Sequence, residues 1–344
     1  MPGEPSSSRP EAKLARKDTM RAIVRDQYGS PDVLELREVA RPGIVRDQDV
    51  LVRVRAASLN ADDLEYMYGR PGFARIGIGL RRPRQRILGS DVAGEVEAVG
   101  KGVTHLHPGD EVFGNMTQFG MGAFAEYVCA PARAFALKPS TLTIEEAATV
   151  PQSGILALQG LRGKRHVKSG DRVLINGAGG NVGPFAIQIA KHFGAEVTGV
   201  DSTVKLDMVR SAGADHVIDF THEDVTRNGE RYDYILDVVA RRSMFAWSRV
   251  LRPGGAYVML GASTGLLLQG SLAGPLISMT GSKKPGVMWW WKPFKQEDVA
   301  FLTQLIDAGS LRPVIDRSYP LSEVPDALRY LEQGKARGKI VITM

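Results

Sequence analysis

The sequence predicts an α/β protein in two unlike parts, a β-rich domain and a doubly wound parallel-sheet domain. Three observations carry this. From Met20 to about residue 140, short apolar runs are broken by Gly and Pro. From Thr143 onward, strand and helix patterns alternate. Between two of those elements the run NGAGGNVG sets Gly177, Gly179, Gly180 and Gly183 in one turn.

RAIVRD, DVLVRVRAASLN, DVAGEVEAVG, DEVFG and AFAEYVCA read as strands bounded by turn residues, the pattern of an irregular, mostly antiparallel domain. TIEEAATVPQSGILALQGLRG is helical in pattern, with Thr143 as N-cap and Glu146 completing a capping box. RVLIN, EVTGVD, HVIDF, YILDVV and AYVML then read as strands. Helices are expected over Pro184–Phe193, Lys205–Ala212 and Ser243–Leu251, and such alternation indicates βαβ units around a parallel sheet. After Gly261 an apolar segment reads as loop as far as GVMWWWKPF. Helices follow over Gln296–Ala308 and Glu323–Glu332, and GKIVITM is a last strand that suits the β-rich domain. The expected division is a disordered leader at 1–19, a discontinuous β-rich domain at 20–142 and 291–344, and the parallel-sheet domain at 143–290.

At 344 residues, 43% hydrophobic and 24% charged, the chain has the composition of a soluble globular protein with a substantial core. It holds no apolar run of membrane-spanning length. A net charge of +6 is mild for this length and does not argue for nucleic acid. The basic run Leu80–Ile87 has no interleaved aromatics and reads as a solvated loop. Neither a nucleic-acid nor a membrane partner is expected. Cys129, the only cysteine, rules out an intrachain disulfide and a multi-cysteine zinc site, and fits a reducing compartment. The leader lacks the apolar core of a secretory signal, and Glu4, Glu11 and Asp18 disfavour a transit peptide, so the cytoplasm is expected. The aromatic cluster MWWWKPF, with Trp289–Trp291, reads equally as a substrate lid, a dimer interface or buried core.

The glycine turn has the context of a dinucleotide cradle: a strand before it, a helix after it, and an acid, Asp201, about 20 residues on at the end of the next strand. Ala178 stands where the first glycine of that fingerprint usually lies. Gly180 would let the backbone approach a pyrophosphate, and Gly183 would let helix and strand pack closely. The free N–H groups at the helix start attract the anion. Ala178, Gly179, Gly180, Asn181, Val182 and Gly183 are therefore candidate cofactor contacts. Asp201 could accept both ribose hydroxyls of NAD and would repel a 2′-phosphate. Ser202, Thr203 and Lys205 are phosphate-friendly, so NADP is the alternative and NAD the favoured cofactor. Asp201 capping a helix is the bland reading.

From Met20 to Met344 the sequence resembles the medium-chain dehydrogenase/reductase superfamily, in its zinc-free, quinone-oxidoreductase-like branch. AASLNADDLEY, GSDVAGEVEAVG, HPGDEVFG, GAFAEYV, GAGGNVGPFAIQIAKHFGAEV, SAGADHVIDF and ARGKIVI carry the resemblance together. It implies a GroES-like catalytic domain, a Rossmann coenzyme domain, an active site between them and commonly a homodimer. Zinc-dependent members carry a cysteine in the segment matching SLNADD and a His-Glu pair in the one matching GSDVAG. Here those places hold Asn60 or its neighbours and Ser90-Asp91, and the four-cysteine zinc loop is missing. His105 and His107 read as loop histidines without a thiolate or third ligand. No metal is expected.

Polarising a substrate carbonyl would then fall to hydrogen-bond donors. In the resembled branch the Ser-x-Asn-x-x-Asp motif, here Ser58, Asn60 and Asp63, faces the nicotinamide. Asn60, Asp63 and Tyr66 are the candidate catalytic residues: Asn60 as donor to the substrate oxygen or cofactor amide, Tyr66 or Tyr68 as proton donor or pocket wall. The competing reading has Asp63 cap the following helix and the tyrosines pack between domains. Thr149 and Ser153 are expected toward the nicotinamide side, Phe220 as an adenine wall, and Val238-Val239 and Gly261-Ala262 beside the ribose and nicotinamide, since ligands bind at the carboxyl ends of parallel strands. The expected function is zinc-independent hydride transfer between NAD(P) and a small carbonyl compound, with a quinone or enone as favoured substrate. An alcohol dehydrogenase or aldehyde reductase, and a catalytically silent nucleotide-binding interaction protein, are the alternatives.

Overall fold

The computed structural model describes residues 18–163, 165–261, 264–280, 282–288 and 291–344. Nearly all of the leader expected at 1–19, and Ala262, Trp289 and Trp290, lie outside the described residues.

Six parallel strands form the coenzyme-side sheet. Their spatial order is His216–Asp219, Glu196–Asp201, Arg172–Asn176, Tyr232–Asp237, Leu251–Met259 and Lys284–Val287. Numbered by sequence, this is the order 3-2-1-4-5-6 of a doubly wound dinucleotide fold. The order reverses between Arg172–Asn176 and Tyr232–Asp237, so a crevice must open above the carboxyl ends of those two strands.

Seven strands make the second sheet. Strand Asp49–Ser58 lies at its centre, flanked by Asp91–Val99 and by the terminal strand Lys339–Thr343, both antiparallel to it. The end of the chain thus closes the domain that its beginning opens. Register matters here. Ser58, Asp91 and Asn115 fall in one row across three neighbouring strands. Apolar clusters cover both faces of the parallel sheet, and a further large apolar cluster fills the β-rich domain.

The expected capping box forms, with Glu146 N–H donating to Thr143 Oγ1 at 3.2 Å and Thr143 N–H to Glu146 Oε2 at 2.8 Å. Pro151 then starts a new helix, Pro151–Arg162, so the single helical pattern becomes two helices and gains a second N-terminus inside the protein. The apolar segment after Gly261 is not a loop: Thr264–Thr280 is a helix. Apolar residues ring it without a polar stripe, and Gly265, Gly270, Gly274 and Pro275 interrupt it, so no amphipathic signal marks it in the sequence. Helix Gln296–Asp307 sets Val299, Leu302, Leu305 and Ile306 into the coenzyme-side core, although the division at residue 291 put it with the β-rich unit.

Candidate active site

A cleft of about 550 Å³ lies between the domains at the reversal point of the parallel sheet. Its floor is the glycine turn. Gly177 has φ of +81°, a left-handed conformation that glycine adopts without strain. At Gly183 a Cβ would stand 2.1 Å from the Ala178 carbonyl oxygen, so only glycine lets helix Gly183–His192 lie this close to the turn. Gly180 is different. A Cβ there would meet nothing closer than the Gly177 carbonyl at 3.5 Å, and its open side faces the cleft. Val182, at the helix N-cap, offers no capping side chain, and Pro184 occupies the first turn. Bare helix-terminal N–H groups beside an open glycine suit a pyrophosphate.

Asp201 ends strand Glu196–Asp201 and is 6% exposed. Its Oδ2 accepts the Gly179 N–H and its Oδ1 the Ser202 N–H, each at 2.8 Å. Lys205 Nζ lies 4.0 Å away, and burial lowers the Lys205 pKa. Asp201, Ser202 and Lys205 all line the cleft, as do Phe220, Val238, Asn181 and Gly180. Thr203 faces Asp219 instead, which its hydroxyl contacts. Ala178 is buried in the core beneath the turn, and Gly179 is held by Asp201. The exposed Gly261 follows strand Leu251–Met259, and its carbonyl accepts the Ala240 N–H at 3.1 Å, which joins it to the Val238–Ala240 loop.

At the other end of the cleft the sheet register gathers a buried polar cluster. Asn60, 3% exposed, precedes helix Ala61–Tyr68. Its Nδ2 donates to Ser90 Oγ at 3.1 Å and to Asp91 Oδ2 at 2.9 Å, while its Oδ1 accepts from Lys339 Nζ at 2.7 Å. Both amide hydrogens are thereby committed within the protein. Asp91 also accepts from Asn115 Nδ2 at 2.8 Å and from the Gln152 N–H at 3.1 Å, so it caps the helix that Pro151 begins. Lys339 Nζ stands 3.6 Å from Asp91 Oδ2 and donates to Ser153 Oγ at 3.2 Å; neither charged side chain is exposed at all. Burial lowers the Lys339 pKa and raises that of Asp91, against their mutual attraction. Asn181 Nδ2 reaches the Leu59 carbonyl at 3.1 Å and ties the glycine turn to this cluster.

Asn60 and Gln152 thus reach the cleft wall, and Ser153 lies just behind it. Asp63 Oδ2 accepts the Asn60 N–H at 2.8 Å, the capping role foreseen as the competing reading, and the residue is fully buried behind the wall. Tyr66 is half-buried against the β-rich core, its pKa raised by burial and by the charges of Asp62 and Asp63. The Thr149 hydroxyl turns back to the Glu146 carbonyl at 2.6 Å. Sequence reasoning missed Gln152, Lys339, Asn176 and the arginines Arg241 and Arg242, all but Lys339 being cleft-lining. A signal existed for Lys339: it opens an otherwise apolar terminal strand, KIVIT, where a lone ammonium demands a partner.

The comparisons agree with this architecture. Residues 46–140 match the family model "Alcohol dehydrogenase GroES-like domain" and residues 212–342 match "Zinc-binding dehydrogenase". The mouse protein "NAD(P)H oxidoreductase RTN4IP1, mitochondrial" is 34% identical, over 96% of this chain and 90% of its own length. The tomato (Solanum lycopersicum) "2-methylene-furan-3-one reductase" is 35% identical, over 94% of this chain and 79% of its own. The chain belongs to the medium-chain dehydrogenase/reductase superfamily. Its place is in the quinone-oxidoreductase-like branch: the solved quinone oxidoreductase of Coxiella burnetii superposes with a TM-score of 0.83 at 30% identity, covering 95% of this chain and 99% of that one. The superfamily protein described here is an NAD(P)-dependent oxidoreductase, and the glycine turn, the switch-point cleft and Asp201 are the parts that would hold the nicotinamide cofactor.

Zinc fits this site poorly. Asn60, Ser90 and Asp91, which stand at the family's ligand positions, supply an amide, a hydroxyl and one carboxylate in place of thiolate and imidazole. Asn60 and Asp91 already hold a cation, the Lys339 ammonium. Among the described residues no group of three His, Cys, Asp or Glu is arranged to hold a metal ion.

Proposed function

We propose that the protein reduces the C=C bond of small enones or alkenals, with quinones as a second substrate class, using NADH in preference to NADPH. The observation that carries the reading is the Lys339–Asp91–Asn60 cluster where a zinc enzyme would hold its metal. When bound, the cofactor supplies a hydride. Hydride addition to an isolated ketone builds a localised alkoxide, which needs a strong electrophile. Addition to a conjugated system spreads the charge over an enolate, which hydrogen-bond donors can support. Gln152 is such a group: it lines the cleft, and its Oε1 accepts from Ser90 Oγ at 3.0 Å. Lys339, Asp91 and Asn60 hold the wall rigid, and Leu156, Val182, Leu331 and Ala336 supply apolar surface for a small hydrophobic substrate.

The printed names of relatives support the class, including an "NADPH-dependent alkenal/one oxidoreductase, chloroplastic" of Arabidopsis thaliana at 33% identity. NADH is favoured because Asp201 keeps a carboxylate in the adenosine half of the cleft, while Lys205 is partly occupied in neutralising it. Arg242 is likewise engaged, with Asp224 at 2.9 Å. Arg241 at the cleft gives NADPH a foothold.

A homodimer is proposed through the outer strand Lys284–Val287, whose far edge pairs with no strand among the described residues, together with Leu268 and Leu272, exposed one helical turn apart on the helix before it. A solution mass near twice 37.4 kDa tests this. No described helix is long and apolar enough to cross a membrane. The cytoplasm is proposed from the acidic residues of the leader, although the mouse relative's name carries "mitochondrial". Steady-state oxidation of NADH and NADPH against enones, quinones and aldehydes tests the function. Turnover confined to aldehydes would replace it with the alcohol-dehydrogenase reading, and cofactor binding without turnover would favour the silent one.

A further inference from the structure

Outside the cleft, one stretch of surface carries charge and apolar side chains that the fold itself does not use. Between Glu65 and Asp91 the chain has six arginines and no acidic residue. This segment leaves helix Ala61–Tyr68 at Gly69 and forms a lip, a tight turn at Gly72–Ala74 followed by the short helix Arg75–Ile78. Phe73 and Ile76 lie one turn apart on it and Leu80 follows just beyond. They are 65%, 74% and 68% exposed.

The lip is held from beneath, so this exposure is built into the fold. The Tyr28 hydroxyl reaches the Ile78 and Gly79 carbonyls at 3.1 and 2.6 Å. Arg75 donates to the Tyr68 and Gly69 carbonyls at 2.9 and 3.0 Å and lies over the Tyr28 ring. Gly79, with φ of +117°, turns the chain back where a Cβ would stand 2.0 Å from the Arg82 carbonyl oxygen. Of the other arginines, Arg70 stacks on Tyr68, Arg84 donates to the Gly77 carbonyl and Arg86 pairs with Asp26. Arg81 and Arg82 are exposed and have no ion-pair partner among the described residues.

Three large apolar side chains in water beside two uncompensated guanidiniums make a docking face, and charge decides its occupant. A second copy of the chain, meeting this face with its own, would set like charges together. Nucleic acid would satisfy the guanidiniums and leave Ile76 and Leu80 in water. A leaflet containing anionic lipid satisfies both, with phosphates for the guanidiniums and acyl chains for the apolar side chains. We propose that this lip docks the protein on an anionic membrane surface, with Phe73, Ile76 and Leu80 set among the acyl chains and Arg81 and Arg82 on lipid phosphates. The basic run expected to be a solvated loop is then the electrostatic half of a face whose apolar half precedes it. Docking does not depend on which substrate the cleft takes. It does hold the cleft near the membrane, because Ala61, at the far end of the eight-residue helix, lines the cleft, and that helix spans about 12 Å.

Co-sedimentation with vesicles tests this, using pure phosphatidylcholine and an equal mixture of phosphatidylcholine and phosphatidylglycerol. The protein should bind the mixed vesicles at least about 10-fold more tightly than the neutral ones, and lose that binding as sodium chloride is raised. Arg81→Gln with Arg82→Gln should lower the affinity about 10-fold or more, as should Phe73→Ser, Ile76→Ser and Leu80→Ser together. Arg81→Lys with Arg82→Lys should retain it. So should Val45→Ser, which removes an 86% exposed apolar side chain from the loop before strand Asp49–Ser58. Thermal unfolding midpoints matching the wild type show that the variants are folded. Failure of the wild type to bind anionic vesicles would overturn the proposal, as would binding that both sets of lip variants leave unchanged. A dimer that the apolar variants dissociate, in a protein that ignores vesicles, would make the face a contact between copies instead.

Discussion

The carboxylate of Asp201 accepts the backbone N–H of Gly179 at 2.8 Å, so the residue that would meet the cofactor's ribose also holds the phosphate-binding turn in shape. In the proposed reading, one side chain would couple cofactor choice to cofactor affinity. Asp201→Ser is expected to move the NADH/NADPH ratio of kcat/KM about 10-fold or more toward NADPH by removing a charge near the 2′ position. It should also weaken both cofactors, because the turn loses its anchor. Steady-state kinetics with each cofactor checks this, and an unmoved ratio would contradict the proposed preference.

The glycines of the turn separate into packing and binding positions. Gly183→Ala forces a Cβ against the Ala178 carbonyl and should destabilise the fold by more than about 2 kcal/mol, read by thermal or urea unfolding. Gly180→Val fills open space and should leave stability within about 1 kcal/mol while lowering NAD(H) affinity at least 10-fold, read by titration calorimetry.

Lys339→Met removes the only ammonium inside the Asp91 cluster and leaves that carboxylate buried without its charge partner. A loss of roughly 3–5 kcal/mol is expected in unfolding experiments. Adding Asp91→Asn should recover a large part of it, because the uncompensated charge is then gone.

Asp62 also makes stability depend on pH. Its folded-state pKa is raised to about 6 from the ordinary value of 3.8, so the native state holds the proton more tightly than the unfolded chain does. Its contribution is therefore most favourable below about 4 and is lost as pH rises through 6. Asp62→Asn should raise stability at pH 8 relative to wild type by about 1–3 kcal/mol and change it little at pH 4, with unfolding midpoints at the two pH values as the check.

The sequence made some of this visible and hid the rest for physical reasons. Gly180, Gly183 and Asp201 were legible because a phosphate cradle needs bare backbone at fixed spacing within one βαβ unit. Thr143 and Glu146 were legible because a capping box spans only four residues. The buried polar cluster was not, because Asn60, Asp91, Gln152 and Lys339 come from different segments that only sheet register and domain closure bring together. Helix Thr264–Thr280 was hidden for the opposite reason: apolar on every side, it has no period to read. Asn60 stands between these cases. Its place at the cleft was foreseen, but its hydrogen-bond partners make it the tie between Lys339, Ser90 and Asp91.

The central claim is conjugate reduction without a metal electrophile, and the fate of the hydride tests it most directly. NADH carrying deuterium on the transferred C4 position is to be turned over with an enone and the product examined by NMR. The account predicts a saturated ketone with deuterium on the carbon β to the carbonyl and a solvent-derived proton on the α carbon. Deuterium on the carbonyl carbon, giving an unsaturated alcohol, would contradict it.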